Sequence, residues 1–446
     1  WDEVDRLVTA DDVTTVSLDA VLPVADYAVE GTVRLLVQHS EGFAGENLSS
    51  RESAVEPRNA DDTPRSGYDF TLAVESDTQY YNEEFHQHQT AIHDYLLDER
   101  SDLNLQYLFH TGDIVDDYDQ LWQWDYADPE YRKLDAAGLP YGVLAGNHDV
   151  GHKEVDYTNY GTYFGADRYQ ANPWWGGDYK NNRGHYDLIT AGGIDFLMLY
   201  MGWGPGDDEI AWMNEVLAQY PERIVVLNLH EYMLTTGGLG PIPQQIYDEV
   251  IATNPNVRMV FSGHYHDAYT RIDGFDDDGD GTDDRQVYQI LFDYQGLPEG
   301  GLGYLRLLHF DNENQQIIAR TYSPSLDDYD ADDPSLDPEH QEFTMPYAAL
   351  GIQPAQKVLR TDGVRVDILT SHEIGAVSDV ESGATTSVTW DAAPGEYGWY
   401  ASSVDPFGAA ADSEVRTLTV LAASGHGGGD NPGDGGSGGG DNPGDG

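Results

Sequence analysis

The sequence predicts an α/β layered domain over about residues 66–325, followed at 355–422 by a small all-β module. Two observations predict the first part. Short apolar runs alternate with stretches of helical periodicity, and the later apolar runs follow one another with no helix between them. A third observation marks the second part: the rhythm changes to brief alternating runs separated by Gly, Pro and Asp.

The elements follow in order. Thr71–Val74 reads as a strand, Asn82–Asp98 as a helix and Leu105–Phe109 as a strand. Asp119–Ala137 is helix-like and leads to the run Tyr141–Ala145. His185–Thr190 and Ile194–Tyr200 pair as strands. Helices near Asp207–Gln219 and Pro243–Thr253 lead to strands Ile224–Leu229 and Val257–Phe261. Tyr269–Ile272, Gln286–Phe292, Leu302–Phe310 and Gln316–Thr321 then close the sheet in antiparallel fashion. Residues 326–354 read as a linker. The β module is carried by Val364–Leu369, Thr385–Trp390, Tyr397–Val404 and Val415–Val420.

The ends differ in character. Residues 1–65 alternate like strands (Thr15–Leu22, Gly31–Val37) and fit either a β-rich extension of the main domain or part of a β domain. Residues 423–446 repeat GGGDNPGDG and read as a flexible acidic spacer. Such a spacer suits either attachment to a cell wall or surface through a further C-terminal segment or a merely frayed tail. A chain beginning at Trp1 is expected to be a processed or trimmed product.

Composition narrows the function. Asp and Glu number 80 against 22 Lys and Arg, a formal charge of −58. That field repels polyanions, so no nucleic acid polymer is expected as a partner. It also concentrates cations near carboxylate clusters. An acidic surface with few lysines suits either a salty setting or an extracellular one, and the expected location is secreted or cell-surface. There is no cysteine, which excludes disulfides, zinc–thiolate sites and thiol nucleophiles. No apolar run approaches the roughly 20 residues of a membrane span.

Chemistry gathers where the apolar runs end. Ser76-Asp77-Thr78-Gln79, His110-Thr111-Gly112-Asp113, Gly146-Asn147-His148-Asp149, Asn228-Leu229-His230-Glu231 and Ser262-Gly263-His264-Tyr265-His266 each follow or finish a strand. Ligands of α/β sheets bind beyond the carboxyl ends of strands, so five such loops aim at one place. Donors of O and N type without sulfur suit Mn, Fe or Zn.

These motifs resemble the calcineurin-like metallophosphoesterases: D-x-H (here Asp77-Thr78-Gln79), G-D-x-x-D (Gly112 to Asp116), G-N-H-D (Gly146 to Asp149), a His after a strand (His230) and G-H-x-H (Gly263 to His266). The resemblance spans about 250 residues and implies a four-layer α-β-β-α sandwich. It implies that Asp113 bridges two metals, with Asp77 and His266 on the first and Asn147, His230 and His264 on the second. His148 would assist the leaving oxygen, with Asp149 or a neighbour orienting its ring. Gln79 stands where the family has His; it is expected either to ligate the first metal or to hydrogen-bond water there. The reaction implied is hydrolysis of a small phosphomonoester or phosphodiester by a hydroxide between the ions. The rival reading is a surface binding or adhesion protein built on an inactive core. The 355–422 module resembles immunoglobulin-like or fibronectin-like domains of secreted bacterial proteins, on Trp390, Pro394-Gly395 and Trp399-Tyr400.

Three further features stand apart. Asp276, Asp278, Asp280 and Asp284, with intervening glycines, resemble a calcium loop, the alternative being an acidic solvated turn. Tyr80, Tyr81, Trp122, Trp124, Trp174, Trp175, Trp203, Tyr232 and Tyr265 are either a substrate-stacking wall or packing beneath loops. His86, His88 and His93 read as surface residues or as residues that support the site from behind its ligands, and Lys180 and Arg183 as surface ion pairs or phosphate contacts.

Overall fold

The computed structural model describes residues 57–354, the short paired strands Gln38–His39 and Gly42–Phe43, and most of 374–421. The first two groups belong to one compact unit and the third to another. Residues 1–37, Val364–Leu369 and 423–446 lie outside the described residues, and with them the expected N-terminal strands and the spacer.

The larger unit holds two seven-stranded sheets. The first contains β1 (Phe70–Glu75), β2 (Leu105–His110) and β3 (Tyr141–Val143), mutually parallel. The second contains β4 (Trp175–Tyr179), β5 (Gly184–Ala191), β6 (Ile194–Met201), β7 (Ile224–Leu229), β8 (Val257–Ser262), β9 (Asp267–Phe275) and β10 (Arg285–Asp293). Strands β6, β7, β8 and β10 are parallel neighbours, and β9 closes the edge antiparallel. The chain then returns to the first sheet with β11 (Leu305–Asp311), antiparallel to β1, and β12 (Gln316–Ser323).

Burial follows from this plan. Phe70, Leu72, Val74, Phe109, Phe196, Met198, Phe261, Phe292 and Phe310, drawn from both sheets, share one core. The outer face of the first sheet packs against α1 (Gln79–Glu83), α2 (His86–Asp98) and α3 (Leu121–Ala137) through Tyr81, Ile92, Leu96, Trp124 and Leu134. The outer face of the second meets α4 (Asp207–Gln219) and α5 (Pro241–Ile246) through Ile210, Met213, Leu217 and Ile246. The result is a mixed α/β sandwich. Strands such as β6 are apolar on both faces because both are covered.

Local chemistry sets the helix limits. Three acids, Asp207, Asp208 and Glu209, open α4, where the helix dipole favours them. Gly138 ends α3 in the left-handed conformation, at φ 58°. Two expected helices are divided. The first breaks at Glu84–Phe85, so that α1 buries Gln79 and Asn82 while α2 buries Ile92 and Leu96 on its own axis. The second relaxes after α5 into a wide π-turn at Tyr247–Ile251.

The expected linker, 326–354, is a correction. Phe343–Pro346 is a strand on the edge of the first sheet, pairing with β12 from Gln316↔Pro346 to Ala319↔Phe343. Tyr347 and Leu350 then bury completely in the core between the sheets. A short strand followed by a one-turn helix leaves too little periodicity to register in sequence.

In the smaller unit Gly395–Trp399 pairs antiparallel with Arg416–Val420, and Ser402–Val404 with Ala410–Asp412. Trp390 packs on Tyr397 at 4.6 Å. Thr385–Trp390, expected as a strand, joins no ladder among the described residues.

Candidate metal centre

Strands β1, β2 and β3 run parallel in one sheet, and β7, β8 and β10 in the other, so their carboxyl ends can share an edge. Two contacts join the sheets there. His230, after β7, places Nε2 3.2 Å from Oδ2 of Asp113, after β2. The backbone N–H of His264, after β8, donates to both carboxylate oxygens of Asp77, after β1, at 3.1 and 3.2 Å. Donor atoms of Asp113, His230 and His264 all lie within 4.8 Å of one another.

The loops are held in uncommon conformations. Asp77, Asp113 and His264 have φ of 52°, 57° and 69°, a region that side chains other than glycine rarely adopt. Glycines make the approach possible. A Cβ at Gly146 would collide with the Asp113 carboxylate, and one at Gly263 with that of Asp77. His110 adds a tie: its Nδ1 accepts the N–H of Gly112 at 3.0 Å, so Nε2 carries the proton it gives to Thr78 Oγ1, also at 3.0 Å.

The protonation pattern fits a cation. His230 Nδ1 donates to the carbonyl oxygen of Thr111 at 2.9 Å. Its Nε2 then faces two oxygens, Asn147 Oδ1 at 3.1 Å and Asp113 Oδ2 at 3.2 Å. Three acceptor groups converge on one point, which needs either a proton or a metal ion between them. Burial opposes charging His230, but the Asp113 carboxylate outweighs it and raises the imidazole to about 10. His264 goes the other way, to about 3, through burial and the neighbouring His230 charge. Asp77 is pushed well above the usual carboxylate range by burial and by the charges of Asp293 and Asp113. Three buried carboxylates facing few cations form a donor set that divalent ions would satisfy.

The remaining expected residues fall as follows. The Gln79 amide lies 3.3 Å from Asp113 Oδ2. In the orientation that satisfies its partners, its nitrogen donates to the carbonyl oxygens of Asp77 at 3.0 Å and Asp113 at 3.1 Å, while its oxygen receives the Gln295 amide. His266 is exposed and lies outside the Asp113–His230–His264 cluster; it neighbours Asp293 and Gly296. His148 is half-buried, and its N–H donates to Asp113 Oδ1 at 2.9 Å. Its ring Nδ1 sits 2.7 Å from the Asp116 carbonyl oxygen and 3.1 Å from Asp116 Oδ1. That hydrogen bond, outweighing burial, raises His148 to about 9.

Asp149 is a correction. It does not orient His148. Its carboxylate is fully buried and accepts the N–H groups of Ile114 (2.8 Å), Val115 (2.9 Å) and Gly146 (2.8 Å), pinning two motif loops together. Burial and the Asp113 charge raise it to about 7. Asp116 holds the ring instead, and in turn Gln123 Oε1 accepts the N–H groups of Asp116 and Asp117, both at 2.8 Å. A second residue that sequence reasoning passed over is Asp293, 1% exposed at the end of β10. The signal was present, since a polar residue closes the apolar run Gln286–Phe292, but a single Asp after a strand carries no motif.

Aromatics mostly pack. Tyr81, Trp124, Trp174 and Tyr232 are buried in the cores. Trp203 differs: its ring lies 5.3 Å from His264 and 5.9 Å from His230. It walls a cleft of about 170 Å³ beside the centre, with His152, Val155, Pro205, Leu229 and Ile242. Lys180 and Arg183 both pair with Glu209, at 3.4 Å each. His93 is not a surface residue; it is fully buried, 3.1 Å from Glu75. His88 is also buried, 2.9 Å from Glu299. The acidic loop lies between β9 and β10, where carboxylate oxygens of Asp276, Asp278 and Asp284 converge within 4.8 Å; Asp280 is outside that trio and caps the N–H of Thr282.

A mixed α/β sandwich gathering carboxylate, amide and imidazole groups at its strand ends is consistent with the metallophosphoesterase fold. Residues 70–268 match the family model described as calcineurin-like phosphoesterase. Over 417 residues the chain is 42% identical to "Uncharacterized protein YvnB" of Bacillus subtilis (strain 168), a match covering 93% of this chain and 30% of that protein. The chain therefore spans less than a third of that relative's length. Similar solved structures include a dimetal phosphatase from Danio rerio, with TM-score 0.43 and 14% identity over 62% of this chain and 99% of that one. Another is the purple acid phosphatase PPD1 from yellow lupin (Lupinus luteus) seeds, with TM-score 0.43 and 12% identity over 67% of this chain and 57% of that one.

Proposed function

We propose that the domain hydrolyses a small phosphomonoester or phosphodiester outside the cell, using two transition-metal ions (Mn, Fe or Zn) held by the residues above. The observation that carries this reading is the convergence of His230 Nε2 on Asn147 Oδ1 and Asp113 Oδ2, with His264 beside them. Asp77, Asp113 and His266 would serve one ion, with Gln79 beside them holding the Asp77 and Asp113 carbonyl oxygens, and Asp113, Asn147, His230 and His264 would serve the other. Such ions supply charge neutralisation at phosphate oxygens and an acidified water.

The chain's own residues do the rest. The Thr111 carbonyl fixes the tautomer that turns His230 Nε2 into the site. Asp149 keeps the second and third motif loops in register. His148 has Nδ1 committed to Asp116, which leaves Nε2 to hold a proton and release it to the departing alkoxide. The cleft walled by Trp203 would receive the organic part of the ester.

The acidic surface supports a secreted or cell-surface setting. The Asp276–Asp278–Asp284 cluster supports binding of calcium, which would brace the hairpin. Turnover of p-nitrophenyl phosphate and bis-p-nitrophenyl phosphate by metal-loaded protein tests the reading. Two bound metals without turnover of either ester would favour the binding-protein alternative.

A further inference from the structure

The first cation position, as the motifs define it, is short of one strong ligand. Gln79 replaces an imidazole with a neutral amide, and the oxygen of that amide is engaged by Gln295. Asp77 and the bridging Asp113 remain, with His266 exposed at the margin. A position so supplied would hold a divalent ion weakly.

The second sheet brings another group to the same place. Strand β10 runs parallel to β8 in the register Ser262↔Leu291. Two residues beyond that pair stand His264, past the end of β8, and Asp293, the last residue of β10. Across the other edge Asp293 pairs with Asp267, the residue after His266. Asp77, His266, His230 and Asp113 are its electrostatic neighbours.

The side chain is 1% exposed. Oδ1 accepts the Gln295 N–H at 2.9 Å, whereas Oδ2 is buried with no hydrogen-bond partner among the described residues. A buried carboxylate oxygen without a donor is costly or is driven toward protonation. A cation bound to the ionised group satisfies it. Gln295 completes the pattern: its backbone holds Oδ1 and its side chain holds Gln79, so the amide and the carboxylate are positioned as a pair.

We infer that Asp293 is a ligand of the first cation, supplying the donor that Gln79 does not. The inference rests on the two-metal reading above. A carboxylate in place of an imidazole also makes this position harder and more negative than the second.

The test is zinc titration of the full chain, stripped of metal, by calorimetry and by elemental analysis after dialysis. The wild type is expected to hold two Zn²⁺, and Asp293→Asn one, its second binding weakened at least tenfold. The double variant Gln79→His/Asp293→Asn is expected to regain the second ion. Crystals of the wild type grown with Zn²⁺ give an answer independent of any variant: an Asp293 oxygen should lie about 2.0–2.2 Å from an anomalous peak. Two ions in the wild type with Asp293 outside that distance, or Asp293→Asn binding both as tightly, would overturn this inference and leave the metal centre standing. A wild type that binds no Zn²⁺ would overturn both.

Discussion

His148 Nδ1 lies 2.7 Å from the carbonyl oxygen of Asp116 and 3.1 Å from its carboxylate, so one residue grips the ring through two oxygens. The carbonyl can only accept, which fixes the proton on Nδ1 and frees Nε2. The grip belongs to the G-D-x-x-D loop that also carries Asp113, and this ties the proposed proton donor to the proposed metal bridge.

His148→Ala is therefore expected to keep both metals and to lose about 10²–10⁴-fold in kcat. Asp116→Asn should lose less, because the carbonyl remains. Elemental analysis beside steady-state kinetics checks both. Metal loss in His148→Ala would show that the imidazole is a ligand.

Asp149→Ala should act on stability first. It strands three buried N–H groups, those of Ile114, Val115 and Gly146. At about 1–3 kcal/mol for each unsatisfied donor, the loss should reach several kcal/mol. Urea denaturation measures it. Unchanged stability with lost activity would return Asp149 to a catalytic role.

A pH dependence follows from the cluster under α2. Burial would raise Glu130, but hydrogen bonds from His86, Lys133 and Thr90 lower it from 4.5 to about 2. Its contribution is thus present above pH 4.5 and is lost as pH falls toward 2. His93 is raised above 6.5: burial opposes this, yet the charges of Glu75 and Glu130 prevail. Its contribution is present below pH 6.5 and lost as pH rises through the elevated value. Both operate between 4.5 and 6.5. The stability gap between wild type and Glu130→Gln should be widest near pH 5.5, about 1–3 kcal/mol, and narrower at pH 3 and pH 9. A gap constant with pH would contradict the pairing.

Trp203→Ala opens the cleft beside His230 and His264. It should raise KM for an aryl phosphate several-fold while changing KM for methyl phosphate little. Equal changes for both esters would place the organic group elsewhere.

The convergence of the motif loops was legible because its geometry constrains residue identity. Gly146 and Gly263 must lack side chains to let Asp113 and Asp77 through, and each motif therefore carries its own punctuation. Alternation of strands and helices likewise announced the layers. Pairing between distant segments was not legible: nothing local tells Phe343–Pro346 to join β12. Asp149 and Asp116 are both acids near His148 in the motifs, and only the folded loop shows which one meets the ring. Asp293 was passed over because its meaning comes from β10 lying parallel to β8, a relationship that one strand's sequence does not hold.

The central claim is that both cations depend on one carboxylate. The most direct measurement is the metal content of the wild type and of Asp113→Asn after loading and dialysis. This account predicts two ions per chain in the first and loss of both in the second. Full occupancy in Asp113→Asn, or a wild type that retains no metal, would contradict it.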